Sequence, residues 1–235
     1  MSKKTVRYAE RLVVRYDQHR WETLARLRSK AVMLMEVLER VKLDTILHGS
    51  IARGDVSSKS DIDIFIKDPF SSFRVETALE GANITVIRRL IVQATPSYAA
   101  KGYIEIDENQ IVSFPLVRLR RVEREFYSFS GEITLGMARE KERTAGVDKK
   151  LMFIEPTQSG HIETSVVGRE DEVARLLGIS ANTVRDRVRA LLRRDSVGRT
   201  GVLVKEELTS DETFEMALKR LAESKPEMKR RLRTT

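Results

Sequence analysis

Leu24, Leu27, Ala31, Leu34, Met35, Leu38 and Val41 recur at steps of three and four residues, the spacing that lines one face of an α-helix. Arg26, Arg28, Lys30, Glu36, Glu39 and Arg40 occupy the other face. Residues 1–42 are therefore expected to be helical, with Val6–Tyr16 a shorter first helix and Asp17 the cap of the longer one. From residue 43 the pattern shortens into strand-length runs. Ile46 and Leu47 form one. Ile62, Ile64 and Ile66 form another, their side chains turned together into a core by the two-residue period of a strand. A helix from Ser71–Phe73 to Leu79 follows, then an extended Ile84–Val92. Tyr103–Asp107 and Gln110–Val117 read as a hairpin turning at Glu108-Asn109. Residues 118–150 mix arginines and lysines with Phe126, Tyr127 and Phe129, and three glycines suggest loops or short elements there. Leu151–Glu155 and the stretch after His161 read as strands.

Glu170–Arg194 reads as a helix-turn-helix. Val173, Leu177, Ile179, Val188, Leu191 and Leu192 are its buried set, Gly178 permits the turn, and Ser180 caps the second helix. That helix is expected to turn Asn182, Thr183, Arg185 and Arg189 outward, suited to base or phosphate contact. Residues 195–204 read as a turn and strand, a wing carrying Arg199. Thr213–Leu221 is a further helix, and Lys229, Arg230, Arg231 and Arg233 read as a basic tail. The domain division is 1–42, 43–150 and 151–235, and the fold class is α+β.

The chemistry concentrates between Ile46 and Lys67. Asp61 and Asp63 are one residue apart on a strand, so their carboxylates share a face and repel. A divalent cation, Mg2+ or Mn2+, is the usual compensation with oxygen ligands. Ahead of them, Gly49 tolerates unusual dihedrals and lets a ligand approach the backbone, while Ser50 is placed to cap a short helix whose free N–H groups suit phosphate. This apolar run, Gly49-Ser50, Ala52-Arg53-Gly54, Ser60 and Asp61-Ile62-Asp63 resemble the signature of the polymerase-beta-like nucleotidyltransferases, in particular the minimal archaeal-type ones. The resemblance implies that Gly49 and Ser50 bind the β- and γ-phosphates of an NTP, expected to be ATP. It further implies that Arg53 offsets triphosphate charge and that Asp61 and Asp63 hold the metal. It also calls for a third acid on a neighbouring strand. Glu105 in Ile104-Glu105-Ile106 has the right setting, with Asp107 as a second candidate. If the strand at Ile111-Val112-Ser113 is the equivalent one, the third acid is missing.

Composition narrows the partners. The chain has 235 residues, net charge +8 and no cysteine. Thiolate zinc sites, disulfides and a thiol nucleophile are thereby excluded. The positive balance favours a polyanion, DNA or RNA, over a membrane, and no apolar run reaches the roughly 18 residues of a membrane span. A cytoplasmic protein is expected, with a homodimer contact among the readings left open. The leading expectation is NMP transfer from an NTP to an acceptor by two-metal displacement. The alternative is a DNA-binding regulator whose nucleotidyltransferase domain is degenerate and serves ligand sensing or dimerisation.

Overall fold

The computed structural model describes residues 11–68, 71–198 and 201–232. The first elements are β1 (Leu12–Arg15), α1 (Gln18–Arg40), β2 (Thr45–His48), α2 (Ser50–Arg53), β3 (Ile62–Ile66) and α3 (Phe73–Gly81). Then come β4 (Arg88–Gln93), β5 (Lys101–Asp107), β6 (Gln110–Pro115), α4 (Arg121–Ser130), β7 (Glu132–Thr134), α5 (Leu135–Arg139) and β8 (Gly146–Val147). The chain continues through β9 (Met152–Thr157), β10 (Gly160–Ser165), α6 (Glu170–Leu177), α7 (Ala181–Val197), β11 (Val204–Glu207), α8 (Phe214–Ser224) and α9 (Pro226–Leu232). The mixture is α+β. These elements gather into two compact units that interleave along the chain instead of following one another. One takes its described residues from Met1–Val32, Leu47–Ser60 and Arg124–Thr200, the other from Met33–Ile46, Asp61–Glu123 and Gly201–Thr235.

The first unit carries an antiparallel sheet in the order β1-β10-β9-β8. Its edge corrects one expectation. The described end of Val6–Tyr16 is a strand, because Val13 and Val14 find pairing partners in Ile162 and His161, and β-branched residues fit a pleated surface better than a helix. Asp17 caps α1 as expected, accepting from Arg20 N at 2.8 Å. Phe153, Val166, Val173, Val184 and Val188 meet in one apolar core, so α6 and α7 pack with the strands that precede them. Residues 118–150, expected to hold loops or short elements, contain α4, the short β7, α5 and β8 with turns between them, and Tyr127 and Phe129 are turned inward.

The second unit holds strands in the order β11-β4-β5-β6-β3-β2. β3 and β6 run parallel, β5 and β6 pair antiparallel as the hairpin signal predicts, and β4 pairs antiparallel with β5. Ile62, Ile64 and Ile66 are buried together. Phe114 and Phe214 meet edge to face at 4.9 Å, which fixes α8 on the sheet. Two expectations fail here. The segment read as a wing ends instead in β11, which pairs with β4, after α7 has run on to Val197. The basic tail is helix α9 as far as Leu232, and Arg231 is buried, its guanidinium donating to Glu123 at 2.9 Å; Arg233 lies outside the described residues.

Candidate functional site

Gly49 adopts φ 83 and ψ −148, a conformation that a side chain strains. A Cβ added there would meet nothing within 4 Å, so glycine is required by the backbone and not by lack of room. Gly49 itself occupies the cap of α2, and Ser50 is the first helical residue, contrary to the expected cap. The Ser50 hydroxyl instead donates to Ser60 Oγ at 3.2 Å, and Ser60 Oγ in turn accepts from Ser57 N at 3.0 Å. The Gly49 N–H is committed to Gly131 O at 2.9 Å. The turn is thus braced on both sides.

Arg53 does not face a ligand. It is 4 % exposed, donates to Ser130 O at 2.5 Å and pairs with Asp55 at 2.8 Å. It lies on the inward face of the short helix, where Ile51 and Ala52 are also buried. A buried guanidinium is tolerable only when paired and hydrogen-bonded, and these partners supply that. Sequence reasoning also missed Arg28. Its guanidinium donates to Ile51 O at 3.2 and 3.1 Å and to Ala52 O at 3.1 Å. Burial, then the charge of Arg143, lowers its pKa to about 10. Arg28 sits among the polar positions of a helix whose apolar stripe was read correctly, so the pattern carried no signal for it.

In the second unit Asp61 precedes β3 and is exposed, while Asp63 lies within the strand and is half-buried. Asp63 stands beside Ile111 of β6, and beyond it beside Glu105 of β5. Glu105 therefore shares the face of Asp63, as the strand period requires. Its carboxylate is taken, however. Arg88 donates to Oε2 through Nε at 2.8 Å and Nη2 at 2.6 Å. The register shifts between Glu105 and Asp107, and Asp107 serves the hairpin turn, accepting from Asn109 N and Gln110 Nε2 at 3.2 Å each. Ser113 turns its hydroxyl to Ile64 O. Among the described residues no group of three or more His, Cys, Asp and Glu side chains could hold a metal ion. The three-acid set that the resemblance implies is not formed by Asp61, Asp63 and Glu105.

The helix-turn-helix segment folds as two helices across a tight turn. Gly178 is left-handed at φ 64, and Ser180 caps α7, accepting from Asn182 N. Asn182, Arg185 and Arg189 are exposed. Arg185 pairs with Asp171 at 2.5 Å and Arg189 with Asp186 at 3.5 Å. Thr183 is a correction. It is 1 % exposed, and its hydroxyl donates to the buried Glu125, which also accepts from Ser180 N at 3.2 Å. Position 183 completes the inner stripe with Val184 and Val188. Arg199 lies outside the described residues.

Residues 33–114 match the family of the nucleotidyltransferase domain. The matched stretch holds both Gly49-Ser50 and Asp61-Ile62-Asp63, and it supports a nucleotidyltransferase of the polymerase-beta-like kind. No curated protein and no solved structure matches the chain. Among the described residues no helix is long and apolar enough to cross a membrane.

Proposed function

We propose that the chain transfers a nucleoside monophosphate from an NTP, ATP being the expected one, to an acceptor. The acceptor oxygen attacks the α-phosphorus, the bond from that phosphorus to the bridging oxygen breaks, and pyrophosphate leaves. Asp61 and Asp63 are the acids at the reacting end, and Gly49 and Ser50 carry the phosphate-binding role. The observation that carries this reading is the Asp-Ile-Asp entry into β3, set within the matched segment. Ile62 and Ile64 are anchored in the core there, and they fix the face on which Asp63 emerges. Arg53 and Glu105 have no part in the proposal, since both are engaged elsewhere. The test is labelling with α-phosphate-labelled NTP in magnesium buffer. Asp61→Ala and Asp63→Ala each abolish labelling at unchanged melting temperature; labelling that persists in both variants refutes the assignment.

A second role is proposed for α7, contact with the phosphate backbone of DNA or RNA through Asn182, Arg185 and Arg189. Their exposure along one helix face favours it. A salt-independent or absent mobility shift would remove it.

A further inference from the structure

Many arginines of the described chain meet an acid: Arg88 holds Glu105, Arg89 holds Glu76, Arg124 holds Glu132 and Arg169 holds Glu172. Three in the first unit have no carboxylate partner among the described residues. Arg20 donates through Nε to Val56 O at 3.0 Å. Arg28 donates to Ile51 O and Ala52 O, and Arg143 to Gly160 O at 2.8 Å and to Thr157 O. All three converge on the segment from Ile51 to Val56. Arg28 and Arg20 reach its two ends, and Arg143 lies over its middle. A Cβ added at Gly54 would stand 2.5 Å from Arg143 Cδ and 3.3 Å from its Nη1, so the arginine occupies room that only a glycine leaves. The Arg20 and Arg143 guanidiniums also share the Tyr16 ring, at 4.3 and 5.8 Å from its centre.

The segment carries one acid, Asp55, and Arg53 already holds it at 2.8 Å. Like charges drawn together repel, and burial strengthens the repulsion. Arg28 is 5 % exposed. Burial first, and then the charge of Arg143, lowers its pKa to about 10, so it remains a cation at neutral pH. A buried cation held only by neutral carbonyls lacks its counter-charge. Nη1 of Arg28 and both Nη atoms of Arg20 donate to no described group. Arg20 and Arg143 are half-buried, so part of each side chain meets solvent.

We propose that Arg28 and Arg143, with Arg20 at the rim, form an anion site that takes a phosphomonoester. Guanidinium forks match phosphate oxygens two at a time, and a dianion offsets more of the gathered charge than a carboxylate or chloride does. The site lies at the end of α2 opposite Gly49 and does not depend on the NMP-transfer reading. The same forks suit a free phosphate and the 5′-phosphate of a nucleic-acid strand, and the test separates the two sources.

The experiment titrates the full-length chain at constant ionic strength with sodium phosphate, sodium chloride, and an oligothymidylate carrying either a 5′-phosphate or a 5′-hydroxyl. The wild type binds phosphate and is raised in melting temperature by it, beyond any effect of chloride. Arg28→Met and Arg143→Met each weaken phosphate binding about 10- to 100-fold, the loss of one charge-assisted contact, and Arg143→Lys restores part of it. The rise in melting temperature is read within each variant, so a variant that is less stable without phosphate still reports on binding. A 5′-phosphorylated strand that outbinds its 5′-hydroxyl twin, by a margin lost in Arg143→Met, supports the site with strand ends as the source. Equal binding of the two strands, with phosphate binding kept, supports it with free phosphate as the source. Phosphate binding unchanged in Arg20→Met, Arg28→Met and Arg143→Met overturns the proposal, as does a wild type that binds phosphate no better than chloride.

Discussion

Ile111 of β6 stands in register with Asp63 of β3, so the strand beside the second acid sets a hydrocarbon next to that carboxylate. The nearest acid on that face is one strand further off, and Arg88 already holds it. An exposed ion pair of this kind contributes little to stability. Glu105→Gln is therefore expected to leave the melting temperature and the rate of NMP transfer within about threefold of wild type, whereas Asp63→Asn removes transfer. Parallel single-turnover assays compare them; a Glu105→Gln rate as low as that of Asp63→Asn would return Glu105 to the reacting groups.

Arg53 is expected to behave as a structural residue. Its removal leaves the largely enclosed Asp55 without its guanidinium, and breaking one side of a buried pair costs about 3–5 kcal/mol. Arg53→Ala should lose that much in urea unfolding. A stable Arg53→Ala with weakened ATP binding would show that the side chain serves the nucleotide after all.

On α7 the buried and exposed polar residues should separate cleanly. Thr183→Ala breaks a hydrogen bond to a buried carboxylate and costs about 1–3 kcal/mol of stability, with nucleic-acid affinity of the folded protein unchanged. Arg185→Ala and Arg189→Ala leave stability nearly intact and each lower the slope of log affinity against log salt by about one. Filter binding across a salt series reads both effects. Equal slopes in all variants would exclude α7 from the contact.

Glu123 links acid stability to the C-terminal helix. Burial opposes its charge, but N–H groups of Arg120 and Ala99 and the guanidinium of Arg231 outweigh that and hold its pKa below the ordinary 4.5. The unfolded chain consequently takes up this proton first. The stabilisation is complete above pH 4.5 and is lost as pH falls through the lower folded value. Glu123→Gln is expected to be less stable at pH 7 and to show a flatter decline between neutral and acid pH. Chemical denaturation along a pH series measures it; an unchanged slope in the variant assigns the acid sensitivity to other carboxylates.

The sequence by itself determined what depends on local spacing. The three- and four-residue rhythm located α1, the isoleucine alternation located β3 and decided which way Asp63 faces, and Asp17, Gly178 and Ser180 announced caps and turns through their own backbone chemistry. Tertiary structure decided who each polar side chain meets. Whether Arg53 reaches a phosphate or Ser130, whether Glu105 is available or held by Arg88, and whether the strand entered at the end of the 195–204 segment makes a wing or joins β4 all depend on segments far away in the chain. So does the strand at β1, where a short β-branched run took the conformation that β10 could pair. Periodicity fixes the side of an element on which a residue lies; only the packed neighbours fix its partner, because a charge brought out of water binds whatever opposite charge or carbonyl the fold sets within reach.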